Sequence, residues 1–294
     1  MTAPSAPPPR PPVPCPGGTG TDRRVRPLAV TAACLRRDAA EAWSYRLPFL
    51  WRFVELFTGL VMLYFLSRLV GNRIATVSGS PITGGYFGYA VLGTTLVAVL
   101  HSALTSFASR LRTDQTTGTL EAMLATPTPA WLTVVAGSAY GMVQIVVMEL
   151  VTLLVAVGIF GLRFDATPAG VAVLVPGLVA TLACFFSFGL LLAAFTMVFK
   201  RGQGLATLAV SGFTLLGGVY YPVSLLPTFL RDVGAALPFT WAIDLLRGSL
   251  VFGAAPVSRL VELAASDAVL LPLGIWLFGR AVDRTRRTGT LAQY

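Results

Sequence analysis

Six apolar runs, at about residues 49–70, 86–109, 131–160, 170–199, 205–221 and 267–282, punctuate the chain. At 1.5 Å of rise per residue, roughly 20 apolar residues in a helix cross the ~30 Å hydrocarbon core of a bilayer. Inside hydrocarbon every backbone N–H and C=O must find a partner within protein, so such runs fold as helices. The expected fold is therefore an all-α integral membrane protein with six transmembrane helices. The fifth run is short. The fourth exceeds the required length and is expected to tilt, with Pro176 bending its outer end. Composition agrees: 12% of residues are charged, against roughly 25% in soluble domains, and the mean hydropathy is +0.73.

The net charge of +9 does not point to nucleic acid, because the basic residues are scattered between apolar runs. They orient the chain instead. With the N-terminus inside, fifteen Lys and Arg fall on cytosolic pieces and six on outer ones, which places both termini in the cytosol of a multi-pass plasma-membrane protein. Residues 1–27 are Pro- and Arg-rich, cannot bury a core and read as a disordered cytosolic tail with no cleavable signal peptide. Residues 28–48 form an interfacial amphipathic helix. Its apolar stripe includes Leu35 and Trp43, with Arg37 and Glu41 opposite. The spans occupy 49–282, and 283–294 is a basic cytosolic tail.

Between the second and third runs lies Asp114-Gln115-Thr116-Thr117-Gly118-Thr119-Leu120-Glu121-Ala122-Met123-Leu124-Ala125-Thr126-Pro127. Thr117 can cap a short helix, Glu121 sits near that helix's positive end, and Leu120, Met123 and Leu124 share one face until Pro127 stops it. This surface helix, apolar on one face and acidic on its flank, suits either a partner or a plain connector. Between the fifth and sixth runs, the stretch 217–227, which includes Tyr221, breaks the helix with Gly217, Gly218, Pro222 and Pro227 while staying apolar. Residues 237–248 then form a capped amphipathic helix starting near Pro238, with Asp244 and Arg247 paired one turn apart. These pieces read as short re-entrant helices in the outer leaflet, an outer gate shielded by protein or lining a wet cavity.

Chemistry-bearing residues are few. Cys15, Cys34, Cys184 and the single His101 lack metal-ligand spacing, and no cluster of acids or histidines marks a catalytic centre. Lys200 is the only lysine and is followed by Arg201, so there is no P-loop. Any ATPase must be another polypeptide. Glu149 lies roughly 27 Å along the third run, near the outer leaflet. It is a candidate contact on a translocation path, or a structural partner of Arg231 or Arg247. His101 lies at a different depth and is assigned an interior hydrogen bond. Gly88, Gly93, Gly137, Gly141, Gly189 and Gly212 are assigned to close helix packing, and the phenylalanines of the fourth run to lipid, core or path.

Two stretches carry a family resemblance. Asp114, Gly118, Thr119, Leu120, Glu121, Leu124, Thr126 and Pro127 match the cytosolic signature of ABC-2 exporter-type permeases, with Gln115 where that family usually has Arg. The Gly218–Pro222 stretch, followed by Pro238-Phe239-Thr240 and Asp244–Arg247, resembles its second signature. The resemblance covers residues 28–282. It implies an export permease of the drug- and antibiotic-efflux branch, dependent on a separate ABC ATPase that carries ATP and Mg, with no cofactor in this chain. It also implies a second permease copy and an interfacial helix beside the ATPase, among membrane lipids. A glycan or lipid-linked polymer exporter remains the alternative. An ion-coupled secondary transporter fits less well, since the hydropathy pattern shows no repeat.

Overall fold

The computed structural model describes residues 36, 47–70, 85–116, 130–199 and 203–288. Eight α-helices are described: α1 (Leu47–Val70), α2 (Gly85–Thr116), α3 (Ala130–Gly158), α4 (Pro168–Phe199), α5 (Gln203–Leu216), α6 (Thr228–Ala235), α7 (Pro238–Leu250) and α8 (Val257–Thr288). A 3-10 turn, Val223–Leu225, precedes α6. No strand occurs among the described residues. Stretches in α1, α2, α3, α4 and α8 are long and apolar enough to cross a membrane. The fifth expected span corresponds to α5, whose 14 residues reach only about 21 Å.

Other boundaries also differ from those the sequence suggests. α2 continues through Thr116, so residues 110–116 are helical rather than loop. α5 stops at Leu216, where Gly217 and Gly218 follow. α8 starts at Val257, ten residues before the expected start at Asp267, and contains Pro272. Pro176 lies inside α4. α7 opens with Pro238 after Leu237, which supplies no side-chain cap. Proline at the first position needs no N–H partner there. α4 does have a polar cap: the Gly170 N–H donates to Thr167 Oγ1 at 3.1 Å. The interfacial helix expected over 28–48 and both tails lie outside the described residues, apart from Arg36, α1's first residues and the end of α8.

α4 is the hub. α8 packs along it, with Gly274 close to the Ser187 carbonyl and Leu190. α2 crosses it where Gly189 meets Phe107 and the Ala103 carbonyl. Phe185 and Phe186, two of the phenylalanines of this run, are used internally, against Phe239 and Phe107. Phe195 stacks on Phe199, which is exposed. α3 packs antiparallel to α2, its Gly141 facing Ser106 while Phe160 meets Phe87. α1 joins these two through Tyr64.

α7 runs opposite to α4. Ser249 lies beside Gly170, Leu245 beside Gly177, and Phe239 stacks on Phe185 at 5.8 Å. Its N-terminus therefore sits about 25 Å down α4 from that helix's start. α7 dips deep into the bundle and climbs back to its end.

Candidate functional site

A helix that stops inside a bundle leaves its last carbonyls without partners. α5 does so at Gly217–Gly218, where Gly218 takes a φ of 67°, a region costly for residues with a Cβ. The nearby carbonyls are satisfied by three side chains. Tyr221 Oη donates to Leu215 O at 2.6 Å, and Tyr89 Oη to Gly218 O at 3.1 Å. Arg247 Nη1 donates to Gly218 O at 2.9 Å, and its Nη2 to Val219 O at 2.7 Å and Tyr89 O at 3.0 Å. The guanidinium lies 3.3 Å from the Tyr89 ring centroid, so the ring's negative face adds to its neutralisation.

Arg247 is only 4% exposed, and its Nε makes no hydrogen bond. Burial pushes the guanidinium down to about 10, against the opposing pull of Tyr89 and Asp244, so it stays cationic at neutral pH. Gly93 makes the fit possible: a Cβ there would lie 2.7 Å from Val219 O and 2.8 Å from Arg247 Nη2.

The pieces around this cage are tied by the same device. Thr240 Oγ1 donates to Gly234 O and Trp241 Nε1 to Ala235 O, each at 2.7 Å, closing the end of α6. The Asp165 N–H donates to Leu250 O and Thr167 Oγ1 to Gly253 O, both at 2.9 Å. Asp244 does not form the expected ion pair with Arg247. Its Oδ2 meets Arg259 Nη2 at 3.2 Å, and Arg259 Nη1 meets Glu262 Oε2 at 2.7 Å. The physical reason is that Arg247 is needed by the broken backbone, and α8 begins early enough to bring Arg259 to the carboxylate. Burial raises the Asp244 carboxyl above its ordinary range, with Arg259 and then Arg247 pulling the other way.

Glu149 lies on α3, about 13 Å before its end at Gly158. It faces Thr95 of α2. Neither partner suggested by the sequence reaches it: Arg247 is held in its cage, and Arg231 lies 3.9 Å from Asp232. His101 is exposed on α2, and its carbonyl accepts from Thr105 Oγ1.

Sequence reasoning missed Tyr89, Thr95 and Arg259. It also missed Asp267, an acid inside α8 that faces Cys184 of α4. Only the Arg259–Glu262 spacing offered a signal. Among the described residues no group of three metal-ligating side chains occurs.

Pro222 precedes the 3-10 turn and Pro227 precedes α6. Asp114 falls in the last turn of α2. Gly118, Thr119, Leu120, Glu121, Leu124 and Pro127 lie outside the described residues, as do Leu35, Arg37, Glu41 and Trp43.

Two comparisons bear on this arrangement. The sequence pattern of the family described as "ABC-2 type transporter" matches residues 30–251, which include the whole caged region. The chain is also similar to the "Inner membrane transport permease YadH" of Escherichia coli K12. The two are 28% identical over 186 residues, covering 62% of this chain and 69% of the relative. The proteins of the same name from Escherichia coli O157:H7 and Shigella flexneri match to the same extent.

Proposed function

The chain belongs to the ABC-2 type transporter family, and from that membership we propose that it is the membrane subunit of an exporter for an amphiphilic molecule, a drug, a natural product or a lipid. ATP and Mg would be handled by a separate ABC ATPase, and two permease copies would form the path. With both termini in the cytosol, the α2–α3 connection faces the ATPase and the α7 end faces outward.

The observation that carries this reading is the broken α5–α7 region, sealed by Arg247 at the end of the bundle remote from the α2–α3 connection. Interrupted backbone at membrane depth persists only where protein or a cavity shields it. Placed at the outer end, this region acts as a gate. Closing of the ATPase would reach it through α2, one end of which carries Asp114 while Tyr89, near the other, belongs to the cage.

The test is at the cytosolic end. Glu121→Arg replaces an attraction with a repulsion, which reaches several kcal/mol at an interface. Leu120→Ala removes about 1–3 kcal/mol if the side chain is buried in the partner. Both variants should be abundant in the membrane yet fail to co-purify with the ATPase or to export. Unchanged co-purification and export would make 114–127 a connector and overturn the docking. Loss of membrane abundance would make it a folding element.

A further inference from the structure

We propose that the C-terminal end of α8 is a binding site for an anionic phospholipid. Its phosphate is held by Arg280 on the Trp276 ring, and an acyl chain lies along Leu273 and Val269. The proposal needs only that the chain crosses a bilayer, and it goes beyond the export reading above.

α8 has two faces. Gly274, Phe278, Ala281 and Val282 are buried, with Gly274 against Ser187 and Leu190 of α4. The opposite face carries Val269, Leu273, Trp276 and Leu277, all exposed and at helical spacing. Hydrocarbon suits this stripe as far as Trp276. One turn on it ends in Arg280, also exposed, whose guanidinium lies 4.1 Å from the Trp276 ring centroid. Arg280 stands about 27 Å along the helix from the ion-paired Glu262, close to the ~30 Å thickness of the hydrocarbon core. Trp276 and Arg280 therefore come to the level where headgroups begin.

This guanidinium is held unlike four others. Arg68 donates to the Tyr64 hydroxyl, Arg231 lies beside Asp232, Arg247 is caged by carbonyls, and Arg259 bridges two carboxylates. Among the described residues no oxygen partners Arg280, the exposed Asp283 one turn further on included. The Trp276 indole N–H likewise has no acceptor among them, whereas that of Trp241 donates to Ala235 O. The helix dipole does not account for the cation, because its influence is confined to the last turn and α8 runs on to Thr288. A phosphodiester supplies both the missing acceptors and the counter-charge.

Two features select the occupant. The next two turns add Arg284, Arg286 and Arg287 against Asp283 alone, an excess that favours a lipid of net negative charge over a zwitterionic one. The apolar stripe makes it a lipid rather than a soluble anion. Val269 lies about 16 Å along α8 from Arg280, the depth of one leaflet's half of the ~30 Å core.

Binding is read by native mass spectrometry on the full chain in maltoside micelles, without an ATPase. The probes are phosphatidylglycerol and phosphatidylcholine with the same acyl chains. Phosphatidylglycerol should bind at least fivefold more tightly. Arg280→Gln should reduce that ratio at least threefold and Trp276→Leu about twofold, while Arg163→Gln, an exposed arginine of the α3–α4 connection, should leave it unchanged. Position is read on the native chain, so it decides even where a variant fails to fold. Phosphatidylglycerol with a diazirine in its acyl chain should label the segment 265–284, and excess glycerol phosphate should not displace it. Equal affinity for the two lipids, or labelling that spares 265–284, would overturn the site. An unchanged ratio in Arg280→Gln would also overturn it, and with loss of the co-purifying ATPase would give these cations to a protein partner. Displacement by glycerol phosphate would overturn the lipid in favour of a soluble anion. The lipid ratio is measured without an ATPase, so it can fail while the docking of residues 114–127 survives, and the reverse.

Discussion

Arg247 and Glu149 are both charges placed among apolar helices, and they are treated in opposite ways. Arg247 is enclosed by three carbonyl contacts and an aromatic face. Glu149 faces a single hydroxyl, with no cation among the described residues. The first arrangement is what a structural charge looks like in a membrane protein: the side chain repairs a helix break that hydrocarbon would not tolerate. The second has a neutral hydroxyl beside it in place of a counter-charge, so the environment bears on whether the carboxyl is ionised at all. The number of fixed partners around the charge, more than depth or burial, separates the two.

The largest effect should come from removing the structural charge. Arg247→Met keeps the volume but withdraws three hydrogen bonds, leaves Val219 O without its donor, and should destabilise the protein by about 3–5 kcal/mol. Arg247→Lys keeps the charge but not the planar fork and should lose about 1–3 kcal/mol. Glu149→Gln, by contrast, removes an unpaired charge and should change stability by less than about 1 kcal/mol. Unfolding by denaturing detergent in mixed micelles ranks the three. If Arg247→Met were as stable as the native chain, the two charges would no longer differ and the cage would not be structural.

Much of the helical plan was legible because hydrocarbon permits so few solutions. The apolar runs locate α1 to α5 to within a few residues at most ends, and Gly217–Gly218 marks the break after α5. The errors have a common cause, in that charged residues at helix ends find partners the sequence does not reveal. The last apolar run is expected only from about residue 267, yet Arg259 links Asp244 and Glu262, and the helix begins at Val257. Asp244 and Arg247 have the spacing of a pair, but Arg247 is taken by backbone from α2 and the segment after α5. Thr95 could not have been singled out, since nothing in the sequence separates it from Thr94. Glu149 could, because a lone acid in an apolar run is visible without coordinates.

A smaller effect tests the geometry that lets the cage close. Gly93→Ala places a Cβ within 3 Å of both Val219 O and Arg247 Nη2, and overpacking of this kind costs about 1–3 kcal/mol. The comparison residue is Gly212 of α5, assigned to close packing by its sequence context but with no heavy atom within 4 Å of an added Cβ. Gly212→Ala should stabilise the protein by about 0.5–1 kcal/mol through helix propensity alone. The same unfolding assay reads both. Equal responses would mean that the contact between α2 and the Arg247 cage is loose enough to absorb a methyl group.

The smallest effect concerns Asp244, which stands between the two extremes: partly buried, paired with Arg259, and near Arg247. Burial raises its folded-state pKa above the ordinary value despite both arginines. An acid raised in this way holds its proton to a higher pH in the native state than in the unfolded chain. Its contribution to stability therefore grows as pH falls from neutrality through the folded pKa toward the ordinary carboxylate range near 4, and is lost as pH rises again. Asp244→Asn should remove that slope. Arg259→Gln should steepen it, because the cation opposing the upward shift is gone, while changing stability at neutral pH by less than about 1 kcal/mol, since the pair is partly exposed. Unfolding midpoints between pH 4 and 7 for the native chain and both variants check this, and taking differences between chains cancels the other carboxylates to the extent that they titrate independently. Parallel pH profiles for the native chain and Asp244→Asn would show that Asp244 gains nothing from protonation. It would then belong with Arg247, as a charge whose surroundings already satisfy it.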